Sequence, residues 1–247
     1  MHGGLVTLRA KEILIVPERL PLLLLPGLLC DQRLWRDQAR DLSDIASPTI
    51  PDLTLDDSLS AMAKRVLDAA PERFALAALS MGGYVAFEIL RQQPERVTRL
   101  ALVDTSAALD SPQRVTQRLA GIQSLKLGRF FGVTARMLPQ LVHAKHVHGP
   151  IGEEVQEMAK RVGGDAFLRQ QNAILDRPDS RPLLSSINVP TLVAVGDSDI
   201  LTPPRDAEEM HRQIAGSSYH VFPDCGHLPP MEVPDQTSQL LRRWLLE

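Results

Sequence analysis

Aromatic side chains are scarce in this sequence, at 4% of 247 residues. Aliphatic residues must therefore fill the core. Only two cysteines occur, too few for a disulfide framework, so a reducing compartment such as the cytoplasm is the expected location. No apolar run approaches the roughly 18 residues that a membrane span needs, and no membrane partner is expected. There is no Lys/Arg-rich run, and the formal net charge is −3 at pH 7; both argue against a nucleic-acid partner. Internal repeats and low-complexity segments are also missing. What remains is ordinary for a soluble globular chain: 44% apolar and 23% charged residues, in a length that suits one large domain with a sizeable core.

The stretch "PLLLLPGLLCD", Pro21 to Asp31, admits two readings. It could be a lipoprotein signal that ends at a modified cysteine, or a buried strand that runs into a functional turn. Glu12 and Glu18 precede the leucines, where a signal wants positive charge. Leu29 stands just before Cys30, where lipoprotein processing needs a small residue, and Pro21 and Pro26 interrupt the run. The strand reading is preferred, with Cys30 free of lipid and the chain complete from near its N-terminus.

Leu22–Leu25 is short and continuously apolar, like a strand buried on both faces. "FALAAL" (Phe74–Leu79), "RLALVD" (Arg99–Asp104) and "TLVAVG" (Thr191–Gly196) have the same character. Between the first two of these four, Asp57 or Ser58 can cap a helix whose apolar face is Leu59, Met62, Ala63, Val66 and Leu67. A second helix follows Gly82 and ends before Pro94. A last helix, after Asp235, presents Leu240, Leu241, Trp244 and Leu245. Such alternation predicts an α/β fold: a mostly parallel central sheet with helices on both faces. From about Asp110 to Ser186 the alternation breaks into helical patterns alone. Ser111-Pro112 opens one, Val155, Met158, Ala159 and Val162 form another stripe, Phe167 to Leu175 a further helix, and Asp176–Pro182 a linker. The expected organisation is a core from 1–109 and 187–247, with a helical cap at 110–186 inserted in the same folding unit.

"ALSMGG" (Ala78–Gly83) follows a strand and opens a helix. A serine there sits on a sharp turn with its hydroxyl exposed above the sheet edge. Ala78 replaces the first glycine of Gly-x-Ser-x-Gly. Alone this is a weak signal, since a helix N-cap reads the same way. It gains force from "VGDSDILTPP" after the next core strand and "DCGHLPPMEVP" after "SYHVF": an acid and then a histidine, in the chain order Ser, Asp, His.

With these motifs the sequence resembles the α/β-hydrolase superfamily over nearly its whole length. It is similar to small-capped carboxylesterases such as pimeloyl-acyl-carrier-protein methyl esterases and 3-oxoadipate enol-lactonases. The resemblance implies Ser80 as nucleophile, His227 as general base and acid, and Asp199, the acid of Gly-x-x-Asp counted from Gly196, as the group that orients His227. Asp197 and Asp104 compete for the acid's role; Asp197 reads more simply as a loop residue bonding nearby amides. Glu232 matches a family glutamate whose usual role is structural. The family's first core strand ends in His-Gly-x; here Pro26, Gly27 and Leu28 stand there, so Leu28 and Met81 would donate their backbone N–H groups to an oxyanion hole. Pro26 removes any bracing by a histidine side chain.

Candidate pocket walls are Phe130, Phe131, Leu138 and Phe167 from the cap, with Trp35, Tyr84 and Leu201 from the core. Cys30 and Cys225 should lie near the site as small buried thiols. His143, His146 and His148 invite a zinc reading, but no acidic residue stands among them, and an exposed polar stretch is preferred. No metal or organic cofactor is implied. Between Asp110 and Glu153 there is no acidic residue but six basic ones, Arg114, Arg118, Lys126, Arg129, Arg136 and Lys145. They form either a solvated face or a funnel for an anionic substrate. The expected activity is hydrolysis of a small-molecule carboxylic ester, an anionic or carrier-linked one among the candidates. A lactone, thioester or C–C bond is the alternative, and a non-catalytic binding protein on this fold the reading from another class.

Overall fold

A computed structural model of the chain describes residues 19–247; Glu12 and Glu18, and the first residues of the expected core, lie outside the described residues. The opening leucines form β1 (Leu20–Leu25), followed by α1 (Arg36–Asp41), β2 (Ala46–Thr49), α2 (Leu59–Ala69), β3 (Phe74–Leu79), α3 (Met81–Gln92) and β4 (Val97–Val103). Four helices come next: α4 (Pro112–Lys126), α5 (Leu138–Leu141), α6 (Pro150–Leu175) and α7 (Arg181–Leu184). The chain then returns to the sheet with β5 (Thr191–Gly196), α8 (Pro204–Gln213), β6 (Ser218–Phe222), α9 (Pro229–Glu232) and α10 (Pro234–Leu246).

The six strands form one sheet in the order β2-β1-β3-β4-β5-β6, every neighbouring pair parallel. Strand periodicity splits the apolar residues into two cores. Leu23, Leu25, Leu76 and Leu102 pack with Met62, Val85, Ile89 and Met210 on one face. Leu22, Leu24, Ala77 and Val103 pack with Trp35, Leu241 and Trp244 on the other. With both faces covered, the strands must be apolar throughout, and β3 and β5 are buried along their whole length. The parallel arrangement brings the C-terminal ends of β1, β3, β4 and β5 to one edge, where open α/β sheets place their ligand sites.

Ser58 caps α2 by accepting from Ala61 N at 3.2 Å, and Ser111 caps α4 by accepting from Arg114 N at 3.3 Å. The two helices expected around Val155 and Phe167 meet in α6 at a kink, at Gly163, whose φ of 81° leaves the helical region. The expected linker Asp176–Pro182 enters α7 at Arg181. Edge strand β2 was not anticipated: "ASPT" has no apolar run. Pro48 is tolerated because an edge strand needs only one partner, here β1.

Candidate active site

Ser80 stands between β3 and α3 with φ 54° and ψ −116°, a conformation that costs a non-glycine residue about 1–3 kcal/mol. The turn is over-determined by its surroundings. Ser80 N donates to Val103 O at 3.1 Å, and Thr105 Oγ1 donates to Ser80 O at 2.7 Å. A side chain at Gly82 would meet Leu25 O at 2.5 Å, and one at Gly83 would meet Thr105 Oγ1 at 2.3 Å. These contacts explain why two glycines follow the serine and Met81. Ala78 is fully buried in β3 and pairs in register with Leu25 and Leu102, so its methyl group is absorbed by the sheet.

His227 lies in the loop after β6, and Asp199 in the loop after β5. His227 Nδ1 is 2.8 Å from Asp199 Oδ2. That acceptor fixes the tautomer with hydrogen on Nδ1. Asp199 also accepts from Leu201 N at 2.8 Å, Thr202 N at 3.2 Å and Thr202 Oγ1 at 2.6 Å. Burial acts to raise its pKa, but the His227 charge and these hydrogen bonds outweigh burial and hold the carboxyl below its usual range. Asp197 serves the backbone instead, accepting from Asp224 N at 2.9 Å and Cys225 N at 3.2 Å.

The two loops interlock. A Cβ on Gly196 would meet Gly226 O at 2.0 Å, and one on Gly226 would meet His143 N at 2.6 Å. Buried Glu232 accepts from Gly226 N at 3.1 Å, Leu228 N at 3.0 Å and His143 N at 2.7 Å. His227 N donates to Leu141 O at 3.1 Å. The histidine loop is thus tied both to the acid loop and to the helical segment between β4 and β5.

Ser80 and His227 line one cavity of about 340 Å³, shared with Leu28, Met81, Tyr84, Phe167 and Leu201. The two side chains are not hydrogen-bonded to each other; such contacts tighten on substrate binding. The N–H groups of Leu28 and Met81 make no other backbone hydrogen bond among the described residues. A roomier cleft of about 580 Å³, lined by Arg33, Arg36, Asp52 and Arg161, lies beyond the Pro26–Cys30 turn and contains none of Ser80, Asp199 or His227. The smaller cavity is therefore the candidate site.

A family model described as the alpha/beta hydrolase fold matches residues 21–234. The chain belongs to this family. Among curated relatives of this α/β-hydrolase, a pimeloyl-[acyl-carrier protein] methyl ester esterase of Neisseria meningitidis (serogroup C / serotype 2a) is 31% identical over 169 residues, 66% of each chain. One of the same name from Nitrosomonas europaea is 28% identical over 190 residues, 73% of this chain and 74% of its own. The chain spans 54–66% of the length of the meningococcal relatives it matches. A thermophilic esterase from Thermogutta terrifontis, solved with malate bound, is 33% identical with a TM-score of 0.85, covering 92% of this chain and 90% of that one. The enol-lactonase of Burkholderia xenovorans LB400, at 22% identity and a TM-score of 0.78 over 93% and 92% of the chains, shares the fold.

In this α/β-hydrolase several expected pocket residues sit elsewhere. Trp35 is fully buried in the core, where its indole donates to Leu25 O at 3.0 Å. Leu138 is core as well, and Phe131 is 67% exposed. Phe130 packs against Phe167 with its ring tilted 48°, centroids 5.6 Å apart, and is not among the residues lining the cavity. An apolar side chain suits a pocket wall and a core equally: Trp35 and Leu138 go to the core, half-buried Phe130 packs on Phe167, and Phe131 faces solvent. Cys30 lines the cavity; burial, then the Asp31 charge, push its thiol up to about 12, so it stays protonated. Cys225 is fully buried and its thiol is pushed up by burial and then by Glu232. His143 is engaged locally, its ring accepting from Lys145 N at 3.3 Å.

Two features escaped sequence reasoning. Gln170, fully buried in α6, accepts from Leu29 N at 3.1 Å and donates to Leu53 O at 3.2 Å. With Trp35 it braces the turn that Pro26 leaves without a histidine. The covered carboxylate of half-buried Asp110 gathers Arg177 at 2.9 Å, Arg118 at 2.5 Å and Arg114 at 3.8 Å. Arg114 and Arg118 line the cavity, while Lys126, Arg129, Arg136 and Lys145 are exposed. Arg177 also stacks over Tyr84, 4.3 Å from its centroid.

Proposed function

We propose that this protein hydrolyses a carboxylic ester through an acyl-enzyme formed on Ser80. The observation that carries the reading is the strained serine sharing one cavity with a histidine whose far nitrogen is bonded to a buried aspartate. His227 Nε2 takes the proton of Ser80 Oγ as Oγ attacks the ester carbonyl. Asp199 holds the ring and stabilises the imidazolium that forms. Leu28 N–H and Met81 N–H receive the carbonyl oxygen as it becomes negative, and losing one such donor typically costs about 100- to 1,000-fold in rate. His227 then protonates the departing alkoxide, and a water activated by the same ring releases the acid.

The substrate class follows from the walls. Met81, Val155, Met158 and Phe167 offer apolar surface, and Arg114 and Arg118 bring more positive charge than Asp110 can neutralise beside Arg177. An acyl chain carrying an anionic group fits this combination. It agrees with relatives named for the methyl ester of a carrier-linked acyl group and with malate in the Thermogutta esterase. The helices between β4 and β5 act as the cap that roofs this chain.

Ser80→Ala should abolish hydrolysis of p-nitrophenyl esters and labelling by a fluorophosphonate, with little change in melting temperature. Substantial turnover by purified Ser80→Ala would sink the mechanism. A panel of esters, lactones and thioesters of graded length then sets the bond and the acyl group.

A further inference from the structure

Asp104 follows β4 and lies beside Asp199, which follows β5. Ligating atoms of Asp104, Asp199 and His227 all lie within 4.8 Å of one another, and all three residues are buried. Their hydrogen-bond partners are unequal. Asp199 collects two backbone N–H groups, the Thr202 hydroxyl and the His227 ring. Asp104 has one donor, Gly196 N, on Oδ1 at 2.9 Å, while its Oδ2 is buried with no partner. Two ionised carboxylates cannot stay side by side away from water, because desolvation and mutual repulsion both oppose the second charge. The charge settles on Asp199, which has the donors. A proton on Asp104 turns an acceptor with nothing to accept into a hydroxyl with an acceptor beside it.

The other ionisable groups around Asp104 favour the same state. Burial first, then the Asp199 charge, then the more distant Glu232, push Asp104 well above the usual carboxylate range. The neighbouring Cys225 thiol stays protonated. His227 is the cation that forms during turnover, and it is bonded to Asp199.

On the triad reading given above, we propose that Asp104 is a protonated positioning residue. Its carboxyl hydrogen is donated to Asp199, and in a chain whose Asp199 is cut back to alanine it ionises, gives that proton to solvent and orients His227 itself. The one acid site is thus served by two carboxyl groups, one charged and one in reserve.

The test compares kcat/KM of Asp199→Ala with that of Asp199→Ala/Asp104→Asn across pH, on a neutral ester. Asn is close in shape to a protonated Asp and tolerates the left-handed backbone at this position, where φ is 43°. The single variant should keep at least about tenfold more activity than the double. Its residual activity should climb with pH as Asp104 ionises, and the double variant should lack that climb. Equal activities with the same pH profile overturn the proposal. Infrared spectroscopy gives a readout independent of turnover and of the double variant's folding. A protonated-carboxyl C=O band present at neutral pH should vanish in Asp104→Asn; an unchanged spectrum overturns the proposal as well. Ser80→Ala and Asp199→Ala measured in parallel separate the two kinds of failure. Wild-type turnover in Ser80→Ala removes the triad reading and this one with it. Loss in both, with no effect of the second substitution, removes only the role of Asp104.

Discussion

Asp197 and Asp199 stand two residues apart in one loop and face different partners. Asp199 meets the histidine ring, and Asp197 holds the amides of Asp224 and Cys225. Asp199→Asn should therefore cost far more activity than Asp197→Asn, since an amide there favours the wrong tautomer; a serine protease of another fold loses about 10,000-fold. Asp197→Asn should act on melting temperature instead, and equal losses of kcat/KM would assign the acid wrongly. Asp110 makes a prediction about pH. Burial would raise its carboxyl, but hydrogen bonds from Arg177 and Arg118 prevail and hold it at about 2. A folded pKa below the unfolded 3.8 stabilises the fold above that unfolded value, and the gain fades as pH falls through the folded one. The gain is about 2 kcal/mol at most. Denaturant titrations should show Asp110→Asn less stable than wild type at neutral pH and the gap closing toward pH 2.

Among the elements, what could be read in the sequence and what could not divide by range. β1, β3, β4, β5 and β6 announced themselves because a strand covered on both faces has to be apolar without interruption, or, for β6, because it precedes the Gly-His loop. β2 did not, since Ser47, Pro48 and Thr49 carry no pattern and the strand exists only by pairing with β1. Ser111 was legible as a cap, and the cap of α2 as Asp57 or Ser58, because capping is settled within one turn. The bond from Leu29 to Gln170 spans 141 positions and left no local trace, as did the clasp from His143 to Glu232. Gln170→Leu tests the first. It strips a buried amide and a buried carbonyl of their partners, which should cost about 1–3 kcal/mol. Displacement of the Leu28 amide should lower kcat by about tenfold or more, with KM little changed. A stability loss without a kcat effect would mean that Leu28 is held by other contacts.

For the whole molecule, the question is whether the basic stretch attracts substrate. Arg118 is tied to Asp110 and Gln171 with 12% of its side chain exposed, so reversing its charge would damage the fold; Arg114, 30% exposed, is the better probe. If the cap steers anions, kcat/KM for an anionic ester should fall steeply from low salt to 1 M, where the Debye length shrinks to about 3 Å. A neutral ester should barely respond, and Arg114→Gln should imitate high salt for the anionic ester alone. The same salt response for both esters would make the stretch an ordinary solvated surface.

The contacts of Leu141 and His143 with the histidine loop bear on how such a protein can diversify. A cap that merely covers a site is a detachable module, and exchanging it between relatives alters what enters while the catalyst stays intact. Here, on the proposed function, the segment between β4 and β5 is also scaffold for the histidine loop: Leu141 O holds the His227 amide, the backbone of His143 packs on Gly226, and Glu232 joins both. A graft that replaces everything between β4 and β5 would import a new chamber and dismantle the histidine loop in the same step. Recombination can be productive only if its breakpoints leave the segment around Leu138–His143 with the core. New specificities should then arise chiefly in α4 and α6, the parts of the cap that wall the cavity without holding His227.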